Sequence, residues 1–185
     1  MGVGREVSAR AYAEEDVAQD GGVAGAWVDV PDQGLGVIWG DSEVLLKAVR
    51  PYQKRVILFG ESAAADLRLT GQEPRGRRQR FQINGRLWVD LPLPGRHNAV
   101  NALAAIAAAQ RFGIAQDQSA AALADFVNEG MRLEWLELPG GVLINDAYNA
   151  NPSSLAAAAD VLAGAGGGRK VLVVGDMREL GEQSP

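Results

Sequence analysis

An α/β fold in two regions is what this sequence predicts, and three observations lead to it. Alternating apolar and polar residues over 66–70 and 80–93 surround an Asn84-Gly85 pair, a strong two-residue hairpin signal. The period then lengthens to that of a helix along 94–113 and again along 116–127. Finally, an apolar strand at Val142–Ile144, a helix at Pro152–Ala163 and a strand at Lys170–Gly175 follow one another. Strand, helix, strand at this spacing predicts a βαβ unit with parallel strands and a right-handed crossover. The first region, strands plus two helices, runs to about residue 130; the second, from about 131, opens a parallel α/β domain. One βαβ unit cannot cover its own sheet, so the second region is expected to be incomplete.

Each element has a local reason. Residues 23–40 read as one or two short strands split by a Pro-Asp-Gln-Gly turn. Asp41–Val49 reads as a short helix capped by Asp41 or Ser42, and Arg55–Gly60 as a strand. Arg75, Arg77, Arg78 and Arg80 fall in a solvated loop or hairpin edge, where charge also discourages edge-to-edge pairing. Gly113 ends the long helix, and Asp117 or Ser119 lies near the start of the next. Met131–Leu138 reads as a strand leading into a Pro139-Gly140-Gly141 turn. The Gly164–Gly168 run is a helix-to-strand loop with Gly164 as its cap.

Composition narrows the class. In 185 residues, 47% are hydrophobic and 22% charged, the balance of a globular domain with a proper core. There is no cysteine, which removes disulfides, thiolate metal sites and cysteine nucleophiles. A net charge of −5 argues against a general nucleic-acid binder. No apolar run has the length of a membrane span, and the N-terminus lacks the apolar core of a secretory signal. The expectation is a cytoplasmic monomer without membrane insertion.

Two polar constellations carry chemistry. Asn145, Asp146, Tyr148, Asn149 and Asn151 stand where a strand ends and a helix begins, the place where open α/β sheets bind ligands. Asn151 followed by Pro152 is explained by capping alone. Asp146, Tyr148 and Asn149 are not, and a carboxylate there suits the hydroxyl pair of a ribose. Asn98 and Asn101, three apart, share a helix face, and amides suit the edge of a base. The plainer readings are a capping role for Asn98, an exposed position for Asn101 and a structural role for His97. Two glycine-bearing stretches lead nowhere. Gly164–Gly168 is followed by no Lys-Ser or Lys-Thr pair opening a helix, and Val173–Gly181 lacks the GxGxxG spacing of a dinucleotide-binding oxidoreductase.

Three strings, "LPLPGRHNAVNALAAIAAAQRFGI", "GMRLEWLELPGGVLINDAYNANPSS" and "VLVVGDMRELGE", together resemble the Mur ligase family. The resemblance runs from about Gly36 to the end of the chain. It implies part of a central ATPase domain of strands and helices over residues 1–130, with 1–35 unmatched, then the start of a Rossmann-like C-terminal α/β domain over 131–185. "DAYNANP" and "GDMRELGE" are most similar to the branch that adds D-alanyl-D-alanine to UDP-N-acetylmuramoyl-tripeptide with ATP and Mg2+. That reaction serves peptidoglycan synthesis, and with it cell shape and division. Carried over by position, Asn98 and Asn101 would meet adenine, Arg132 the ATP phosphates and Asp146 the ribose. Tyr148, Asn149 and Asn151 would face the cleft near the incoming dipeptide. The family's Gly-Lys-Thr phosphate loop, magnesium-binding acid and modified lysine have no counterpart in the 185 residues. No catalytic residue or metal ligand is therefore assigned, and the chain alone is not expected to catalyse ligation. A sister ligase with another amino acid, and a non-catalytic nucleotide-binding remnant, stay open.

Overall fold

The computed structural model describes residues 36–50 and 56–177. The turn expected before Gly36 and the last part of the "GDMRELGE" string lie outside the described residues. The first region opens with β1 (Gly36–Trp39), α1 (Glu43–Val49) and β2 (Val56–Gly60), and β1 pairs with β2 in parallel. Ser42, not Asp41, caps α1: its hydroxyl accepts the Leu45 N–H at 3.2 Å. Asp41 instead accepts the Glu61 and Ser62 amides, at 2.8 and 2.7 Å, and so ties the end of β1 to the end of β2.

β3 (Leu67–Arg75), β4 (Arg78–Ile83) and β5 (Leu87–Leu91) complete a five-stranded sheet in the order β1-β2-β3-β4-β5. β3 meets β2 in parallel over two residue pairs, and β3, β4 and β5 are antiparallel. The arginine-rich stretch is thus a hairpin edge, turning at Gly76-Arg77. Asn84 and Gly85, at φ 51° and 69°, make the tight turn expected of that pair. Leu67, Leu69, Phe81, Ile83, Val89 and Leu91 point from the sheet into the core. On that face lies α2 (Arg96–Arg111), burying Ala99, Ala102, Leu103, Ile106 and Ala107, the stripe of a 3.6-residue period. α3 (Gln116–Ala124) adds Ala120 to the same core. It stops at Ala124, so Asp125–Val127, expected to be helical, are not.

The second region departs from the parallel unit expected of it. β6 (Glu134–Leu138) and β7 (Gly141–Asn145) form an antiparallel hairpin, followed by α4 (Pro152–Gly164). Ala165, not Gly164, takes the cap position of α4. Lys170–Gly175 forms no strand, and Val171–Val174 are 50–88% exposed. Parallel strands hold when both faces are covered; with neither face of this run covered, β-propensity alone does not pair it with β7. The parallel βαβ unit lies instead at β1–α1–β2.

One buried polar side chain stands out. Gln79 is 1% exposed, in phase with Phe81 and Ile83, and its Nε2 donates to the Leu93 and Gly95 carbonyls at 2.7 and 2.8 Å. Gln72 Nε2 donates to its Oε1. The carboxamide therefore fixes the 93–95 segment through which the chain enters α2. Gln79→Ala strands the Leu93 carbonyl, takes from the Gly95 carbonyl one of its two donors (the other is Asn98 N–H, at 3.1 Å), and is expected to lower stability by about 1–3 kcal/mol, read as a shift in urea midpoint at constant slope. A shift within error would mean that the segment holds itself.

Candidate functional site

The polar patch is assembled from the start of α2, the turn between α3 and β6, and the junction of β7 with α4. Gly95 precedes α2 with φ +95°, a backbone conformation that favours glycine. A Cβ built there would lie 2.6 Å from His97 Cε1, 2.9 Å from His97 Nδ1 and 3.1 Å from Val161 Cγ2. The missing side chain is what lets α4, through the buried Val161, reach the first turn of α2. Arg96 reinforces that turn by a two-pronged ion pair with Glu61.

His97 lies half-buried in this contact. Burial pushes its imidazole below the ordinary value of 6.5, while the Asp146 and Asp160 carboxylates pull the other way. His97 therefore stands in the electrostatic field of Asp146, a link between the two regions that the spacing of a lone histidine did not reveal. Beside it, Asn98 Nδ2 donates to the Pro94 carbonyl at 2.7 Å, leaving Oδ1 without a hydrogen bond among the described residues. Asn101, one turn on, is exposed.

Arg132 sits between two left-handed residues, Met131 (φ 63°) and Leu133 (φ 47°). Such backbone costs about 1–2 kcal/mol for each residue that carries a side chain, so specific bonds must hold it. Leu133 N–H donates to Asp146 Oδ1 at 2.9 Å, and Met131 N–H to Glu134 Oε2 at 3.0 Å. The Asn128 amide donates to the Arg132 carbonyl, and Tyr148 N–H to the Met131 carbonyl at 3.1 Å. The Arg132 guanidinium then lies 4.0 Å from the centre of the exposed Tyr148 ring, a cation–π contact. No carboxylate pairs with Arg132 among the described residues.

Arg132, Asp146 and Tyr148 are thus brought together, and α4, which follows them, rests through Val161 on the turn of α2 that carries His97 and Asn98. Asn151 is drawn into capping: its Oδ1 accepts from Ser154 N–H at 2.7 Å and Ser153 Oγ at 2.8 Å. Asn149 is exposed and accepts only from the next residue's amide. A groove of about 570 Å³ runs nearby, lined by Arg77, Leu93, Phe126, Glu129, Glu134 and Trp135 among others. None of the candidate ligand residues Asn98, Asn101, Arg132, Asp146, Tyr148, Asn149 and Asn151 lines it. Among the described residues, no three His, Asp or Glu side chains gather as a metal site would require. Sequence reasoning missed Gln79 and Glu134; a polar residue in phase with the core residues of β4 was the available signal for Gln79.

Comparison with known proteins places these elements in context. The family model described as "Mur ligase middle domain" matches residues 28–109, and "Mur ligase, glutamate ligase domain" matches 131–185. A UDP-N-acetylmuramoyl-tripeptide--D-alanyl-D-alanine ligase of Bacillus subtilis is 35% identical over 175 residues, 91% of this chain and 38% of its own length. A UDP-N-acetylmuramate--L-alanine ligase of Acidithiobacillus ferrooxidans is 35% identical over 136 residues, 69% of this chain and 29% of its own. The chain therefore spans well under half the length of these relatives. Among solved structures, MurF from Acinetobacter baumannii matches with TM-score 0.78 and 28% identity, over 87% of this chain and 36% of that one. A Mycobacterium tuberculosis folylpolyglutamate synthase complexed with ADP and AMPPCP matches with TM-score 0.63 over 83% of this chain and 36% of that one. At 21% identity, that second likeness is one of fold.

Two tests follow from the α2–α4 contact. The unfolded chain protonates His97 near 6.5, above its folded value. The contribution of the neutral imidazole is complete above that pH and is lost as pH falls through the lowered folded value. The slope of stability against pH between 7.5 and 5 is expected to flatten in His97→Gln; an unchanged slope would clear His97 of the effect. Gly95→Ala is expected to destabilise by at least about 1 kcal/mol, with the resonances of Val161 displaced. Wild-type stability and an undisturbed Val161 would show that the approach is not close.

Proposed function

The chain belongs to the Mur ligase family, whose members are ATP-dependent ligases, and we propose that it forms the nucleotide-recognising part of a ligase joining D-alanyl-D-alanine to UDP-N-acetylmuramoyl-tripeptide. The observation that carries the nucleotide reading is the Asp146 carboxylate on the Leu133 amide beside Arg132, at the end of β7 whose following helix α4 rests through Val161 on the start of α2. Asp146 uses Oδ1 on the backbone and keeps Oδ2 for a ribose hydroxyl pair. Asn98 Oδ1 and the exposed Asn101 present an acceptor and a further amide to the edge of an adenine. Arg132, held by an aromatic face and by no acid among the described residues, is a cation available to phosphate oxygens. Tyr148 and Asn149, exposed at the same end of β7, are the side chains that would meet the incoming dipeptide.

ATP, when bound, supplies the phosphoryl group that activates a carboxylate for attack by an amine. The residues described bind and orient it. Magnesium finds no ready cluster of ligands among them, so no residue is assigned to it. On this reading residues up to about 130 belong to a central ATP-binding domain and those from 131 to a C-terminal ligase domain, in a cytoplasmic, monomeric enzyme. No helix among the described residues is long and apolar enough to cross a membrane.

The choice of D-alanyl-D-alanine rests on the Bacillus subtilis relative, whose similarity extends over 91% of the chain. A sister ligase that adds L-alanine is the second reading, since the Acidithiobacillus ferrooxidans relative is equally identical over a shorter span. Phosphate release by the full-length protein separates them: it should depend on D-alanyl-D-alanine and not on L-alanine, and the reverse dependence would install the second reading. For the nucleotide site, titration calorimetry with ATP should show Asp146→Ala weakening affinity by roughly ten- to a hundredfold, the loss of one charge-assisted hydrogen-bond pair. Equal affinity would remove Asp146 from the site.

A further inference from the structure

We infer that Glu134 is a positioning residue of the nucleotide site, acting through Arg132 and Asp146; the inference rests on the nucleotide reading above. A single carboxylate oxygen, Oε2, accepts from two donors on two different elements. Met131 N–H reaches it at 3.0 Å from the α3–β6 turn, and Asn145 Nδ2 reaches it at 3.0 Å from the end of β7. Met131 immediately precedes Arg132, and Asn145 immediately precedes Asp146. One oxygen thus ties the residue before the cation to the residue before the carboxylate, and sets the distance between the two groups that would grip ribose and phosphate.

The backbone shows why the tie is needed. Met131 and Leu133 both hold left-handed φ values, a state that persists in side-chain-bearing residues only when their surroundings over-determine it. Asp146 holds Leu133 and Glu134 holds Met131, so Arg132 is clamped from both sides and its guanidinium is delivered over Tyr148. An ordinary ion-pair role does not account for Glu134, because no cation pairs with it among the described residues. Nor is it needed as a helix cap, since it opens β6. The β6–β7 hairpin already pairs Glu134 with Asn145 in register. What the side chain adds is the reach back to Met131.

The test compares Glu134→Ala with Glu134→Gln in the isotope-labelled chain, with ATP as the probe. Because one oxygen accepts both bonds, glutamine retains the geometry and alanine removes it. In Glu134→Ala the Arg132 side-chain resonances should leave their ring-shifted positions over Tyr148, Met131 amide exchange should accelerate by roughly tenfold, and ATP affinity should fall by about fivefold or more. Glu134→Gln should restore all three. Unmoved Arg132 resonances in Glu134→Ala, or a glutamine variant that behaves like alanine, would overturn the inference. Should Glu134→Ala fail to fold, Asn145→Ala removes the tie to β7 and keeps the Met131 bond; it should displace Arg132 likewise, and undisturbed resonances there would be equally fatal. If the wild-type chain binds no ATP, the nucleotide reading fails, and the Arg132 resonances alone decide whether Glu134 positions it.

Discussion

With two main-chain carbonyls converging on its Nε2 in a place closed to water, Gln79 decides the path by which the chain leaves β5 and enters α2. Residues 93–95 are in neither strand nor helix, and although Asn98 serves the Pro94 and Gly95 carbonyls from the first turn of α2, the Leu93 carbonyl has no ladder or helical turn to satisfy it. A side-chain amide from the neighbouring strand does it instead. From that anchor follow the angle of Gly95, the first turn of α2 and the orientation of His97 and Asn98. The apolar core beneath supplies most of the favourable burial. It does not choose which residue of the 93–95 segment begins the helix.

The second region meets the first at two small surfaces, one of them the pairing of Arg77 with Glu137 and the Trp135 ring of β6. Val161 of α4 rests where a Cβ of Gly95 would otherwise be, and His97 feels the carboxylates of Asp146 and Asp160 across that contact. The rest of the second region is comparatively exposed: Leu136, Leu138, Val142 and Leu143 on the hairpin, and Val171–Val174 beyond α4, retain much of their surface. Order at the polar patch therefore comes chiefly from directed hydrogen bonds around Arg132, with Leu133 the one residue of that turn that is buried. Hydrogen bonds to charged groups are worth more than neutral ones, which suits a place where strained backbone must be held with little apolar cover.

Much of the fold was legible because local chemistry and tertiary packing agree. Asn84-Gly85 makes the turn that its residues favour, the 3.6 period of Ala99 to Ala107 becomes the buried stripe of α2, and Asn151-Pro152 caps α4 as its sequence proposes. Failure came where pairing is non-local. Valine-rich Val171–Val174 has the composition of a strand, yet a strand exists only against a partner and under cover. The chain has both βαβ and hairpin units, and spacing alone assigned the parallel one to the wrong region. Within the patch, Asp146 stood out because nothing in capping requires a carboxylate there. Glu134 did not, because an acid opening a strand is unremarkable until its oxygen is seen between Met131 and Asn145.

The alanine-rich face of α2 has a consequence for how such a chain can drift under mutation. Ala99 and Ala107 have no exposed surface and Ala102 has 5%, so the helix lies against the sheet at the separation that methyl groups allow. Any larger residue at these positions would lever the helix outward, and because its first turn is pinned by Gln79, the helix would pivot about that end. Neutral variation is therefore confined to the outer face, where Asn101 and its neighbours stand. The inner face admits change only when β1, β2 or β3 yields volume at the same time. In a saturation map of substitutions, α2 should show as a band of intolerance repeating every three or four residues, with compensating pairs reaching into the sheet.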